Sequence, residues 1–281
     1  MYILIFRKFT FCLLFNSVNK RYIHVHMMRA KILLSICILV ILSTDIYAQR
    51  RTRGEDTEDI YKSFTSFGLT TNTNSGILGG VVFRKSNLMS SGLFGKNQYR
   101  YLSLELVNVK HPKEQAQSFN TGARFTYGKE NYLFVLRPQY GREVALFNKH
   151  DDEGISISAI VAAGPSLGFE KPYMIQTQVA GGRVQTVPVK VDVTPGAPDP
   201  YENFVGVGSF FSGFGQTKVV PGLHIKTALS FELSAFRENV TGVEIGFLAE
   251  GFTRKINIMG YADNRSMYTS GYITLYFGSK K

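Results

Sequence analysis

The chain has 281 residues with 32 Lys and Arg against 21 Asp and Glu, a formal net charge of +11. Its two cysteines, Cys12 and Cys37, both lie in the first 48 residues, which excludes a disulfide framework or a thiolate metal site for everything beyond. No stretch beyond residue 48 is apolar for the length a membrane helix needs, so insertion into lipid there requires a closed β-barrel.

Met28 to Lys31 is basic, Ile32 to Leu42 is apolar, and Ser43 to Gln49 is polar with small residues, the layout of a secretory signal peptide cleaved after Ala48. Residues 1–27 precede it and read as a start-site overcall, with an N-terminal anchor as the alternative. Cleavage would leave 281 − 48 = 233 residues carrying (32 − 6) − (21 − 1) = +6. For an exported chain this charge suits lipid or lipopolysaccharide phosphates rather than nucleic acid. Residues 49–62 read as a flexible periplasmic lead-in.

From Phe64 to Lys85 the chain alternates loosely around Asn72-Thr73-Asn74-Ser75-Gly76, a turn signal; one interrupted strand and a hairpin both fit. Ser86 to Asn97 is a loop. Gln98 to Lys110 alternates cleanly, Leu102, Leu104 and Leu106 against Tyr101, Ser103 and Glu105. His111 to Glu114 breaks it. Phe119 to Tyr127 reads as the next strand, with Arg124 on its polar face. Tyr132 to Lys149 follows, with Arg137 opposite Phe134 and Leu136, and with Pro138 and Gly141 marking a bend. Ile155 to Phe169 alternates again. Lys171 to Val219 is long and irregular, and Val184 to Val193 within it fits a separate strand.

Leu223 to Thr253 carries the strongest pattern. Leu223, Ile225, Leu229, Phe231 and Leu233 oppose His224, Lys226, Ser230 and Glu232, and after a turn Val243, Ile245, Phe247 and Ala249 oppose Glu244 and Glu250. A period of two over this length is a strand pattern, and each arm has about the 9–11 residues of a tilted transmembrane strand. Met267 to Phe277 closes the chain.

The expected fold is all-β, an antiparallel transmembrane β-barrel of eight strands over residues 63–281, with ten as the alternative count and one long extracellular loop at 170–218. Eight follows when 64–85 counts as one strand. Loops 86–97, 128–131, 170–218 and 256–267 then face outward, and turns 111–118, 149–154 and 236–241 face the periplasm. A soluble lipocalin-like barrel would reverse the two faces.

The lumen is expected to hold Glu105, Arg124, Arg137, Glu143, Lys226, Glu232, Glu244 and Glu250, and with them Arg254. Eight strands enclose a space that side chains fill, so an internal ion-pair network plugging the barrel is the leading reading, ahead of a narrow polar path. A set with the types needed for nucleophilic catalysis could be assembled from Ser230, His224 and Glu244; such triples arise easily by chance, no catalytic residue is assigned, and the residues favour a non-enzymatic role. Asp151, Asp152 and Glu153 read as a solvated turn. No cofactor or metal motif is present. Contact with a partner is expected at Lys110, His111, Pro112, Lys113 and Glu114, and at Tyr201, Phe204, Phe210, Phe211 and Phe214 in the long loop, where exposed aromatics fit either a lid or a protein interface.

Leu106 to Glu114 (LVNVKHPKE), Leu136 to Arg142 (LRPQYGR), Gly164 to Pro172 (GPSLGFEKP) and Pro221-Gly222-Leu223 resemble an uncharacterised family of Bacteroidetes outer-membrane β-barrel proteins, over residues 64 to 279. The resemblance implies a Gram-negative outer membrane. It brings no established activity and no catalytic residues. The expected role is therefore structural or interaction-based within the envelope, with a solute- or lipid-handling barrel and a membrane hydrolase or acyltransferase as alternatives.

Overall fold

A computed structural model describes residues 61–90, 96–118, 124–147, 155–233 and 239–281. The expected leader, the acidic turn at 151–153 and most of the 49–62 lead-in lie outside the described residues. No described helix is long and apolar enough to cross a membrane.

Eight strands close into one antiparallel barrel: β1 (Ser63–Asn72), β2 (Gly76–Leu88), β3 (Gln98–Val109), β6 (Asn131–Phe147), β7 (Ser156–Pro172), β11 (Lys218–Glu232), β12 (Asn239–Phe252) and β13 (Met267–Lys280). Two small sheets stand apart from it, β4 (Ala116–Ser118) with β5 (Arg124–Thr126), and β10 (Phe204–Val207) with β8 (Met174–Gln178) and β9 (Val184–Pro188).

The expected count of eight holds, with two changes in its members. Residues 64–85 form two staves, because Ser75 and Asn72 tie the turn between them through Asn72 N–H to Ser75 Oγ (3.2 Å) and Asn74 N–H to Asn72 Oδ1 (2.9 Å). Of the strand expected at 119–127, residues 119–123 lie outside the described residues, and β5 pairs with β4 and not with the barrel.

The exchange inverts two loops. Of the described residues, 89–90 and 96–97 lie at the end that carries Ser63 and Lys280, and 110–118 and 124–130 lie at the opposite end, with 173–217 and 253–266. Lys110 to Glu114 thus lies at the end away from Ser63 and Lys280, called the outer end below, together with the 173–217 segment from which the expected topology separated it.

Register partners run round the wall from Ser66 through Arg84 and Ser103 to Gln139, cross to Gly164 on the register that Leu136↔Leu167 and Tyr140↔Ala163 set, and continue through His224 and Glu250 to Tyr268, whereas Ser66 itself pairs with Gly278. The stagger is therefore 278 − 268 = 10 residues. With eight strands this tilts the staves about 40° from the barrel axis.

Along each stave alternate residues point in and out, as in the alternating burial of β3; at mid-barrel the inward ones are mostly polar, charged or aromatic and the outward ones mostly apolar. The outward set includes Phe67, Leu69, Phe83, Leu104, Ile225, Ile245, Phe247 and Ile273. At about 3.3 Å per residue and this tilt, the outward apolar belt from Phe277 to Phe134 is roughly 20–25 Å tall.

Candidate functional site

The lumen is filled in layers. Nearest the termini, Tyr61 stacks on Tyr99 with centroids 4.3 Å apart, and Phe64 meets Tyr276 edge-on. Lys62 and Ser63 N–H both donate to Lys281 O, which ties the start of β1 to the last residue.

Above this sits a first ionic layer. Arg84 pairs with Glu143 and, at 3.5 Å, with Glu244; Lys226 pairs with Glu244 at 2.8 Å. Ser86 Oγ donates to Glu143 (2.6 Å), Tyr272 Oη donates to Glu244 (2.6 Å), and Lys226 Nζ donates to Tyr101 Oη (3.1 Å). The Arg84 guanidinium also lies over the rings of Phe64, Tyr101 and Tyr276 at 5.0, 5.2 and 5.4 Å. Two cations face two carboxylates, so the layer is neutral.

The second layer centres on Arg137. Its Nε and Nη2 donate to the two oxygens of Glu250 at 2.8 and 2.7 Å, and Glu105 lies 3.5 Å away. Gln139 Nε2 donates to Glu105 (2.8 Å). Ser166 Oγ donates to Glu250 (2.5 Å) and lies 2.9 Å from His224 Nδ1. Such a fork-to-carboxylate geometry satisfies charges that burial would otherwise penalise by several kcal/mol. Among the described residues Ser103 Oγ, Gln139 Oε1 and His224 Nε2 have no hydrogen-bond partner. Gly164 is required at its position: a Cβ on it would stand 2.0 Å from Pro138 O.

An apolar plug seals the outer mouth. Ile256 and Ile258, fully buried, descend from the 253–266 loop onto Val107, Val109, Leu133, Val135, Val220 and Phe252. The lumen thus holds a stack of apolar, ionic and aromatic layers.

The expected lumen residues divide accordingly. Glu105, Arg137, Glu143, Lys226, Glu244 and Glu250 meet inside the barrel. Glu232 sits at the terminal rim, paired with Lys280 at 2.8 Å. Arg124 is on β5, off the barrel, and Arg254 is in an outer loop paired with Glu170, which corrects both placements. Arg84, Ser166, Tyr272 and Tyr276 join the expected lumen residues; for Arg84 the alternation Val82, Arg84, Ser86 against Val81, Phe83, Lys85 was the available signal, legible once β1 and β2 are separate strands.

Nor does the Ser230, His224 and Glu244 set assemble. Ser230 bonds Tyr276 Oη (2.8 Å), and His224 is six residues along the same stave, about 20 Å away. His224 has Ser166 instead, but there the carboxylate contacts the serine rather than the imidazole, the reverse of the order that orients a general base. No described group of His, Cys, Asp and Glu could hold a metal ion.

The outer end carries a built cap. Its core is Phe125, Tyr173, Ile175, Val189, Tyr201 and Phe204. Tyr201 and Phe204 are only 9% and 8% exposed, so they hold the cap together and are not contact residues, contrary to expectation. Phe210, Phe211 and Phe214 are at the surface, Phe211 78% exposed, and Phe210 packs edge-on against Phe134 of the outer wall. They are therefore no lid over the mouth. Lys171 lies among them, its Nζ 5.1–5.3 Å from the rings of Tyr132, Phe210 and Phe214.

In the Lys110 to Glu114 turn, His111 N–H donates to Glu114 (2.9 Å) and Lys113 N–H to His111 Nδ1 (3.2 Å). Glu114 pairs with Lys129. Burial holds the Lys129 ammonium below its usual range, against the opposing pull of Glu114. Lys110, Pro112 and Lys113 stay exposed. A recess of about 320 Å³ opens between rim and cap, lined by Glu130, Glu170, Lys190, Lys218, Arg254 and Asn257. Its two acids are occupied, Glu130 by Val191 N–H (2.8 Å) and Glu170 by Arg254 and Asn257 N–H (3.0 Å). Lys190 and Lys218 have no carboxylate partner among the described residues.

These features define a closed, plugged eight-stranded barrel with an ordered cap. Among solved structures the chain is similar to Ail, the attachment invasion locus protein of Yersinia pestis, in complex with the heparin analogue sucrose octasulfate. That match has 8% identity over 79% of this chain and 100% of that one, with a TM-score of 0.34. Neisserial surface protein A (NspA) is similar at 8% identity, over 78% of this chain and 96% of that one, with a TM-score of 0.30. At such scores the likeness carries no argument beyond the barrel already described. Neither a family model nor a curated protein matches the chain.

Proposed function

We propose that the chain is an integral outer-membrane barrel with a structural and interaction role in the envelope, exercised through its outer cap, the lumen acting as an internal brace. The observation that carries this reading is the inverted distribution of side chains. Ion pairs fill the barrel and an apolar belt of roughly 20–25 Å surrounds it, close to the height of the apolar band of outer-membrane barrels. A wall of that kind is suited to lipid, which cannot satisfy polar groups. Phe210, Phe211 and Phe214 extend the belt at its outer edge, where aromatic rings favour the headgroup region.

A lumen closed at both ends argues against a solute path. What remains for partners is the cap. Its described loops, 110–118, 124–130, 173–217 and 253–266, hold nine Lys and Arg against six Asp and Glu, 9 − 6 = +3. That charge, the unpaired Lys190 and Lys218 and the exposed Lys110 and Lys113 suit lipopolysaccharide phosphates or an acidic face of an envelope protein; nothing points to nucleic acid.

The test uses the absence of cysteine beyond Cys37. Single cysteines at Lys113 and Phe211 should react with an impermeant maleimide on intact cells, and one at Lys62 only after lysis. A photo-crosslinker at Lys113 or Lys190 should give a discrete adduct in cells. Steady unit conductance in planar bilayers, or no adduct from any cap position, would overturn the reading.

A further inference from the structure

Three outward-facing cations gather at one place on the barrel wall. Arg100 of β3 and Arg142 of β6 are direct register partners, and Lys85 of β2 pairs with Leu102, two residues from Arg100 on the same face. Like charges set opposite one another across a strand pair repel. Among the described residues none of the three pairs with a carboxylate; the Arg142 guanidinium touches only the Met89 sulfur, a weak acceptor.

Their height on the wall is informative. With the staves tilted, Lys85, Arg100 and Arg142 fall within about 3 Å of one level, at the terminal-end edge of the apolar belt. The outward residues near that level on the other staves are Thr65, Phe277, Val243, Phe231 and Ala159. The cations are therefore confined to three adjacent staves and do not form a general basic ring.

Directly above them the wall is hollowed. A groove of about 440 Å³ is lined by Phe83, Leu102, Leu104, Pro138, Tyr140 and Pro165, with the Lys85 stem at its lower edge. The groove has a local cause. Pro138 and Pro165 face outward at opposed positions of β6 and β7, where the ladder has no pairs between Leu136↔Leu167 and Tyr140↔Ala163. Proline supplies no N–H there, and Ala163 and Gly164 leave little side chain to fill the gap.

We propose that this stretch of wall is a binding site for an anionic phospholipid of the leaflet at the terminal end. The phosphate is held by Arg100 and Arg142 with Lys85 beside it, and one acyl chain lies in the groove past Tyr140 and Pro138. Cα atoms of directly opposed residues lie about 5 Å apart, so both guanidinium groups reach a single phosphate and make charge-assisted hydrogen bonds. The ligand neutralises the repulsion between the two arginines and covers a concave apolar surface. This site rests on the reading of the barrel as membrane-spanning.

The experiment reconstitutes the chain in vesicles of equal phosphatidylglycerol and phosphatidylcholine, releases it in mild detergent and weighs the retained lipid by native mass spectrometry. One phosphatidylglycerol should be retained at least about fivefold in preference to phosphatidylcholine. The double variant Arg100→Gln/Arg142→Gln should fall to parity, Ala163→Phe should weaken retention by filling the groove, and Lys62→Gln should change nothing. Parity in the unaltered chain, or an undiminished preference in the double variant, overturns the site. Insertion is read separately, by protease protection and by faster gel migration without boiling. A chain that never enters vesicles overturns the spanning reading, whereas one that enters without lipid preference overturns the lipid site alone.

Discussion

The barrel and the cap have interiors of opposite chemistry. Inside the barrel, Arg84, Arg137 and Lys226 are buried against Glu105, Glu143, Glu244 and Glu250. Inside the cap, Phe125, Ile175, Tyr201 and Phe204 are buried against one another. One strand passes from one regime to the other: β7 faces Val161, Ala163 and Leu167 outward with Ser166 and Glu170 inward, and the buried run Tyr173, Met174 and Ile175 follows in the cap. A closed wall surrounded by lipid must place its apolar side chains outside, and an element surrounded by water must place them inside. On the proposed membrane-spanning reading, the reversal near Pro172 marks where the surrounding solvent changes.

The sharpest way to break that contrast is Arg137→Ala. It leaves Glu105 and Glu250 buried without their cation and should cost about 3–5 kcal/mol, read as a lower urea midpoint for loss of the heat-shifted gel band. Replacing Arg137, Glu105 and Glu250 together by apolar residues should cost less than the single change, because no orphaned charge remains.

Next in size is Ile225→Arg on the outer wall, about 2–4 kcal/mol in refolding measurements into vesicles if the belt lies in lipid. The same change at Phe211, on the cap, should cost far less. Equal costs at both positions would remove the distinction between the two regions.

Within the cap, Tyr201→Phe removes the hydroxyl that accepts from Gly128 N–H (3.1 Å) and donates to Thr126 O (3.3 Å). About 0.5–1.5 kcal/mol should be lost, seen as faster hydrogen exchange in 124–130 with β11 and β12 unchanged.

The smallest effect is a pH dependence. Lys129 is held below its usual range chiefly by burial, so between its folded value and the unfolded one the open turn binds more protons than the closed one. Cap stability should therefore rise with pH across that window, measured as slower proteolysis at 124–130. The gain should vanish in Lys129→Met.

The alternation of Leu223 to Thr253 was enough to place Lys226, Glu232, Glu244 and Glu250 on one face and Ile225, Leu229 and Phe247 on the other, since a strand's period of two is local. Strand count was legible, but which segments supply the staves was not. Asn72 to Gly76 proved a tight hairpin and Arg124 to Thr126 no part of a stave, because the choice depends on which neighbour each segment pairs with. That exchange also moved Lys110 to Glu114 to the outer end. The register of distant strands likewise decided that Ser166, not Ser230, meets His224, and that Tyr201 and Phe204 are buried while Phe211 is not. Periodicity along the chain thus determined the fold class and the inward faces. Pairing across the barrel, which joins residues from tens to more than two hundred positions apart, decided the partners, the ends and the basic groove on the wall.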